Sequence, residues 1–208
     1  MKKIISIASV LCLALVMYAF SNGEESYETL KIGQNAPMID HEMEATDGEV
    51  VNLESLSSAN GLLVIFSCNT CPFVVAWEDR YPEIAELAAE SEVGFALVNS
   101  NKAKREGEDS MDEMIEHASE NGYGEVPYLV DTGSQVANAF GAKTTPHVFL
   151  FDSEMKLVYE GAIDDNHKSA EAAKVHYLKN ALKHLEMGKA ISPNNTKAVG
   201  CSIKRVKS

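Results

Sequence analysis

The chain has 208 residues, enough for one domain with an appendage and too few for two full domains. Hydrophobic residues make up 45% and charged residues 24%, which excludes a disordered, collagenous or multi-span membrane chain. Acids outnumber bases 31 to 18, a net charge of −13, and the locally basic Lys204, Arg205 and Lys207 are too few to make a nucleic-acid surface.

Lys2 and Lys3, an apolar run over residues 4–20 and the small residues Ala19 and Ser21 read as a secretory signal over residues 1–21, cleaved after Ser21. The alternative is an uncleaved anchor, for which the run is slightly short. Cys12 follows the bulky Leu11, where a lipoprotein signal needs a small residue, so it belongs to the discarded segment. Removal of residues 1–21 leaves 16 bases against 31 acids, a charge of −15. Export places the remaining cysteines outside the reducing cytosol.

Residues 22–31 form a polar lead-in, residues 32–190 the main domain, and residues 191–208 a tail carrying Cys201. Residues 38–56 read as a β-hairpin around Asp47-Gly48. The continuous apolar run 62–66 is a strand buried on both faces. Ala76, Trp77, Tyr81, Ile84, Ala85 and Ala88 recur at helical spacing, with a kink or break expected at Pro82. Trp77 and Tyr81 are read as core.

Residues 93–98 are the next buried strand, and 100–110 a charged loop in which Glu106, Glu108 and Asp109 are expected to be solvated. Ser110 caps a helix ending near Glu120. Residues 127–131 form a short strand, followed by a small helix ending near Gly141. Strands 148–151 and 156–160 are joined by a turn at 152–155. Ala170, Ala173, Tyr177, Leu178, Ala181, Leu182 and Leu185 mark the apolar face of a closing helix. This order implies an α/β fold with a mixed central sheet flanked by helices and edged by an N-terminal hairpin.

The main chemical signal is Cys68-Asn69-Thr70-Cys71-Pro72, where a buried strand gives way to a helix. Two cysteines at this spacing on a first helical turn can close a disulfide, and helix N–H groups favour a thiolate. Cys68 is read as the attacking thiolate and Cys71 as the resolving thiol. The competing readings are an inert disulfide and a zinc half-site. The zinc site needs a second Cys/His pair that the sequence lacks. The second signal is Thr144-Thr145-Pro146-His147, a proline opening an apolar strand.

The hairpin, the strand leading into CxxCP and the later Thr-Pro together resemble the thioredoxin fold. The closer resemblance is to its redoxin branch (AhpC/TSA, peroxiredoxin-like and exported thioredoxin-like proteins). It rests on Ile32-Gly33-Gln34-Asn35-Ala36-Pro37, on the stretch from Asp131 to Ala142, on Phe149-Leu150-Phe151-Asp152, and on Gly200-Cys201-Ser202-Ile203-Lys204. The resemblance implies a cis Pro146 facing Cys68 and Cys71, which keeps stray metal off the thiols. It further implies that Thr145 and Pro146, with Asn69 and Thr70, bind an extended substrate segment.

The implied activity is that of an exported thiol–disulfide oxidoreductase acting on protein disulfides and dithiols. A membrane electron donor or acceptor is the expected partner, with no cofactor, no metal and no nucleic acid. Ser67 replaces the tryptophan usual in thioredoxins. Strand 62–66 carries no buried acid, which leaves the general base among water, Glu78 and a distant carboxylate. A Thr/Ser-x-x-Cys motif, as in peroxiredoxins, would have its first position at Cys68, so a thiol peroxidase is the first alternative. A copper-binding or redox-inactive interaction module using His147 is the second. His41, His117, His167, His176 and His184 are read as solvated. Cys201 is read as a third redox thiol exchanging with Cys68, against a buried reduced thiol or an intermolecular disulfide.

Overall fold

The structure, a computed structural model, describes residues 27–206; the expected signal segment and residues 22–26 lie outside it. β1 (Met43–Ala45) and β2 (Val50–Val51) pair antiparallel across Asp47-Gly48. The Asp47 carboxylate accepts the Glu49 N–H at 2.9 Å, as an Asx turn requires. Then follow β3 (Gly61–Ser67), α1 (Pro72–Trp77), a 3₁₀ turn over Glu78–Arg80, α2 (Tyr81–Glu90) and β4 (Val93–Asn99). A second 3₁₀ turn (Lys102–Lys104) leads to α3 (Met111–Glu120), β5 (Tyr128–Val130), α4 (Gln135–Phe140), β6 (Thr144–Thr145) and β7 (His147–Phe151). β8 (Leu157–Gly161), α5 (Tyr177–Glu186) and β9 (Cys201–Ser202) complete the chain.

The main sheet has the order β2-β1-β5-β4-β3-β7-β8. β3, β4 and β5 run parallel, whereas β7, β8 and the hairpin pair antiparallel, so the sheet is mixed. Every residue of β3 is buried because both faces are covered. Leu63 and Ile65 face a layer made with Trp77, Tyr81, Ile84, Met114, Leu178 and Leu182. Leu62, Val64 and Phe66 face the opposite layer, with Val136, Phe140, Phe149 and Phe151. The period-two alternation of side chains thus turns one apolar run into the shared wall of two cores.

Ser110 caps α3 by accepting the Glu113 N–H at 3.3 Å, and Gly141 ends α4 in the left-handed region at φ 61°. The break expected at Pro82 falls just ahead of it, in the turn Glu78–Arg80, and the proline occupies the first turn of α2, where no N–H is needed. The closing helix is shorter than its apolar periodicity suggests. Ala170 and Ala173 precede it in a looped segment held by Asp165, whose carboxylate accepts the N–H groups of Lys174 and Val175 at 2.8 and 3.1 Å.

The five histidines expected to be solvated are all half-buried. His117 meets the buried Glu78 at 2.8 Å, His167 packs against Phe73 and Trp77, and His184 Nδ1 lies 3.1 Å from the Ala190 carbonyl oxygen. The lead-in is not a free arm. Leu30 N–H donates to the Phe140 carbonyl at 3.0 Å, and the Thr29 hydroxyl to that of Gly141 at 3.0 Å. Among the described residues, no helix is long and apolar enough to cross a membrane.

Candidate active site: a cleft holding three thiols

The carboxyl ends of the neighbouring parallel strands β3 and β4 lie in register, Ser67 beside Asn99, and the site forms just beyond them. A residue before proline avoids the helical region, so Cys71 stays extended at φ −70° and ψ 123°, and α1 starts at Pro72. The sequence reading had expected both cysteines on the first turn of the helix, but neither is inside it. Cys71 is the residue capping it, and Cys68 lies in the loop before. Both are buried, at 2% and 5% exposure for Cys68 and Cys71.

The chain tail completes the site. β9 pairs antiparallel with β6, setting Cys201 opposite Thr145 and Ser202 opposite Thr144. The Thr145–Pro146 peptide bond is cis, and Thr145 and Pro146 are buried beneath the tail. Cys68 Sγ lies 3.2 Å from Thr145 Oγ1, and Cys71 Sγ lies 3.2 Å from the Thr145 carbonyl oxygen, to which it donates only while protonated. Cys201 packs on the Cys68–Cys71 cluster and is half-exposed. A cleft of about 210 Å³ opens over the three sulfurs, edged by Thr70, Lys104, Asp109, Ser202 and Lys204.

The charge distribution singles out Cys71. The Cys68 thiol, then the Cys201 thiol and the N–H groups of Val74 and Cys201, favour a thiolate there, and together they outweigh burial; the pKa of Cys71 falls well below the usual thiol range. The Val74 N–H acts from nearby, without the geometry of a capping hydrogen bond. Cys68 shifts the opposite way. Its hydrogen bond to Cys71 and its burial hold the proton on, and the Asp109 carboxylate adds to the effect. Cys201 is also raised, by burial and by the adjacent Cys71. The sequence reading put the thiolate on Cys68, whereas the direction of these shifts favours Cys71.

A buried polar network holds the loop in place. Asp109 is fully buried, contrary to the solvated face expected for residues 106–109. It accepts hydrogen bonds from the Asn69 N–H at 3.0 Å, Asn99 Nδ2 at 2.8 Å and Asn101 Nδ2 at 2.9 Å. Asn69 also donates through Nδ2 to the Glu108 carbonyl at 2.8 Å and accepts from the Tyr128 hydroxyl at 2.9 Å. Its polar groups are engaged within the protein, whereas Thr70 is exposed at the cleft. Ser67 is buried beneath the site, 3.2 Å from the Tyr81 hydroxyl. Glu78, one of the expected general-base positions, is occupied by His117 and the Tyr123 hydroxyl at 2.8 and 3.1 Å.

Sequence reasoning missed Asp109, Asn99, Asn101 and Tyr128. The polar run Asn99-Ser100-Asn101 directly after a buried strand was the available signal, because sites of open α/β sheets gather at strand carboxyl ends. His147 does not join the thiols. Its Nδ1 accepts the Lys143 N–H at 3.2 Å and its Nε2 meets Glu160 at 2.5 Å. With both nitrogens engaged, it has no lone pair to offer copper.

The sequence model of the redoxin family matches residues 31–176. No curated protein matches the chain. An uncharacterized conserved protein from Geobacillus kaustophilus is 33% identical, with a TM-score of 0.79 over 87% of this chain and 95% of that one. A hypothetical protein from Sinorhizobium meliloti 1021 is 30% identical, with a TM-score of 0.78 over 87% and 98%. The thioredoxin domain of a thiol-disulfide oxidoreductase from Bacteroides vulgatus is 17% identical, with a TM-score of 0.55 over 67% and 94%. The fold is accordingly the thioredoxin fold.

Proposed function

The chain belongs to the redoxin family, and from that premise we propose that it is a thiol–disulfide oxidoreductase whose working pair is Cys68 and Cys71. The observation that carries this reading is the placing of two buried thiols at the cis Thr145–Pro146 bond, Cys68 Sγ 3.2 Å from Thr145 Oγ1 and Cys71 Sγ 3.2 Å from the Thr145 carbonyl oxygen; the downward shift at Cys71 makes it the nucleophile of the pair. Cys71 attacks one sulfur of a substrate disulfide, forming a mixed disulfide and expelling a thiolate. That thiolate takes the Cys68 proton. Cys68 then attacks the Cys71 sulfur, closes the Cys68–Cys71 bond and releases the second substrate thiolate, so two electrons have passed to the substrate. Thr145 and Pro146 wall the reacting sulfurs. The signal read in residues 1–21 supports an exported setting, in which a membrane-bound dithiol or disulfide protein is the natural electron partner.

The test is single-turnover reduction of a model disulfide by the reduced protein. Cys71→Ser is expected to be inert, and Cys68→Ser to stop at the mixed disulfide. Equal rates for Cys71→Ser and the wild type overturn the proposal. The extended, helix-capping position of Cys71 favours a second reading, a thiol peroxidase in which Cys71 is oxidised to a sulfenic acid by peroxide. Peroxide consumption that depends on Cys71 without any disulfide reduction selects this alternative.

A further inference from the structure

We propose that the carboxyl-terminal strand β9 is a resident partner of the active site: it fills the β6 edge that a substrate strand would otherwise take, and Cys201 exchanges with Cys71 through a Cys71–Cys201 disulfide. The proposal rests on reading Cys68 and Cys71 as an exchanging dithiol.

Pairing with Thr144 and Thr145 spends the backbone groups that an added strand would use. The approach is close. A Cβ on Gly200 would lie 2.3 Å from the Thr145 carbonyl oxygen, so only glycine lets the tail turn in at this point. Beyond the strand the tail is fixed on both sides. Ile203 is buried in the second core, Ile203 N–H donates to the Lys143 carbonyl at 3.1 Å, and Lys204 N–H donates to Asn101 Oδ1 at 2.8 Å. Arg205 donates to Asn138 Oδ1 and the Ala142 carbonyl at 2.7 and 2.6 Å.

These contacts hold one sulfur at a defined place. Cys201 packs on the Cys68–Cys71 pair and all three line one cleft, with the Cys71 sulfur in reach of both other thiols, so it is the member of the trio that either neighbour can bond. The exchange balances without an outside oxidant. Starting from the Cys68–Cys71 disulfide, the Cys201 thiolate attacks the Cys71 sulfur and expels the Cys68 thiolate. The proton lost by Cys201 ends on Cys68, and one disulfide has replaced another. Cys68 and Cys71 are buried, whereas Cys201 is half-exposed. A dithiol donor therefore meets the oxidised site at Cys201. It reduces the Cys71–Cys201 bond by two electrons and leaves as a disulfide.

The test is disulfide mapping by mass spectrometry on the mature chain, oxidised in graded steps with diamide. Wild type is expected to give a Cys71–Cys201 peptide alongside Cys68–Cys71. Cys68→Ser is expected to lose both remaining thiols while staying monomeric. Cys201→Ser is expected to form Cys68–Cys71 normally but to be re-reduced by dithiothreitol about tenfold more slowly than wild type. The inference is overturned if only Cys68–Cys71 appears at every step, if Cys68→Ser keeps its two thiols or crosslinks between chains, or if re-reduction rates are equal. In those cases normal Cys68–Cys71 closure and substrate reduction leave the dithiol reading standing. Failure of Cys201→Ser to close Cys68–Cys71 overturns the dithiol reading and with it the exchange, and is told apart from failure of the inference alone by that missing bond.

Discussion

The backbone N–H of Asn69 donates to the buried carboxylate of Asp109 at 3.0 Å, tying the loop between the two cysteines to a segment 40 residues further along the chain. The same carboxylate accepts from Asn99 and Asn101, so its loss leaves several buried donors without a partner. Each buried orphan costs about 1–3 kcal/mol, and neighbouring losses do not add fully. Asp109→Ala is expected to destabilise the reduced protein by roughly 3 kcal/mol in urea unfolding. Asp109 also helps hold the proton on Cys68. In a Cys71→Ser background, Asp109→Asn should therefore lower the pH at which Cys68 ionises, read from thiolate absorbance. An unchanged titration removes Asp109 from the electrostatics of the site.

Much of this fold was legible because burial imposes periodicity. The run 62–66 had to be a two-sided strand, Ser110 had the spacing of a cap, and Asp47-Gly48 had the form of a hairpin turn. The closing helix was overextended because Ala170 and Ala173 match its apolar spacing although Asp165 pins that stretch into turns. Asp109 was invisible for a related reason. In a run of charged residues nothing local separates the one carboxylate that folds inward, and its partners Asn69 and Asn99 come from other elements. The partner of Cys201 was equally hidden, since the register of β9 on β6 is a long-range property.

Cys71 and Cys68 shift in opposite directions, which sets the pH dependence of the reduced protein. The native pKa of Cys71 lies below its unfolded value of roughly 8.5. Its stabilising contribution is thus complete above that pH and lost as pH falls through the native value. The native pKa of Cys68 lies above the unfolded value, so its contribution is complete below roughly pH 8.5 and lost as pH rises. The stability difference between reduced wild type and the Cys68→Ser/Cys71→Ser double variant should climb to a maximum near this pH and then decline. Alkylation should persist on the acid side in wild type and disappear there in Cys71→Ser. A monotonic stability difference contradicts the opposed shifts.

Gly200→Ala tests the fit of the tail on β6. The new methyl group would lie 2.3 Å from the Thr145 oxygen and 2.7 Å from its carbonyl carbon, both backbone atoms, so the strand must move away. Overpacking of this kind costs about 1–3 kcal/mol. Moving Cys201 off Cys71 also removes a donor to the thiolate, and the Cys71 pKa should rise toward the usual thiol value. Faster hydrogen exchange along β9, with slower alkylation of Cys71 at acid pH, is the expected pair of results. Wild-type behaviour in both measurements shows that the close approach does not hold the tail.

His147 and Glu160 link the cis-proline strand to the same tail further upstream. Glu160 Oε1 meets His147 Nε2 at 2.5 Å, and Glu160 Oε2 accepts from Asn195 Nδ2 at 2.5 Å. Since His147 Nδ1 accepts the Lys143 N–H, the hydrogen-bond network assigns the ring proton to Nε2, from which it is donated to Glu160. His147→Ala leaves the buried Glu160 without its ring partner and opens a cavity beside Phe149; the unpaired acceptor alone costs about 1–3 kcal/mol. Glu160→Gln keeps the shape and loses about 1–2 kcal/mol of hydrogen-bond strength. Urea midpoints should fall in that order, with reduced exchange protection of the Thr196 N–H, which donates to the Glu160 carbonyl at 2.9 Å. Because neither ring nitrogen is free, Cu(I) titrated onto the reduced protein should bind with the same stoichiometry in wild type and His147→Ala; a loss in the variant would place the metal on the ring and contradict the bonding described.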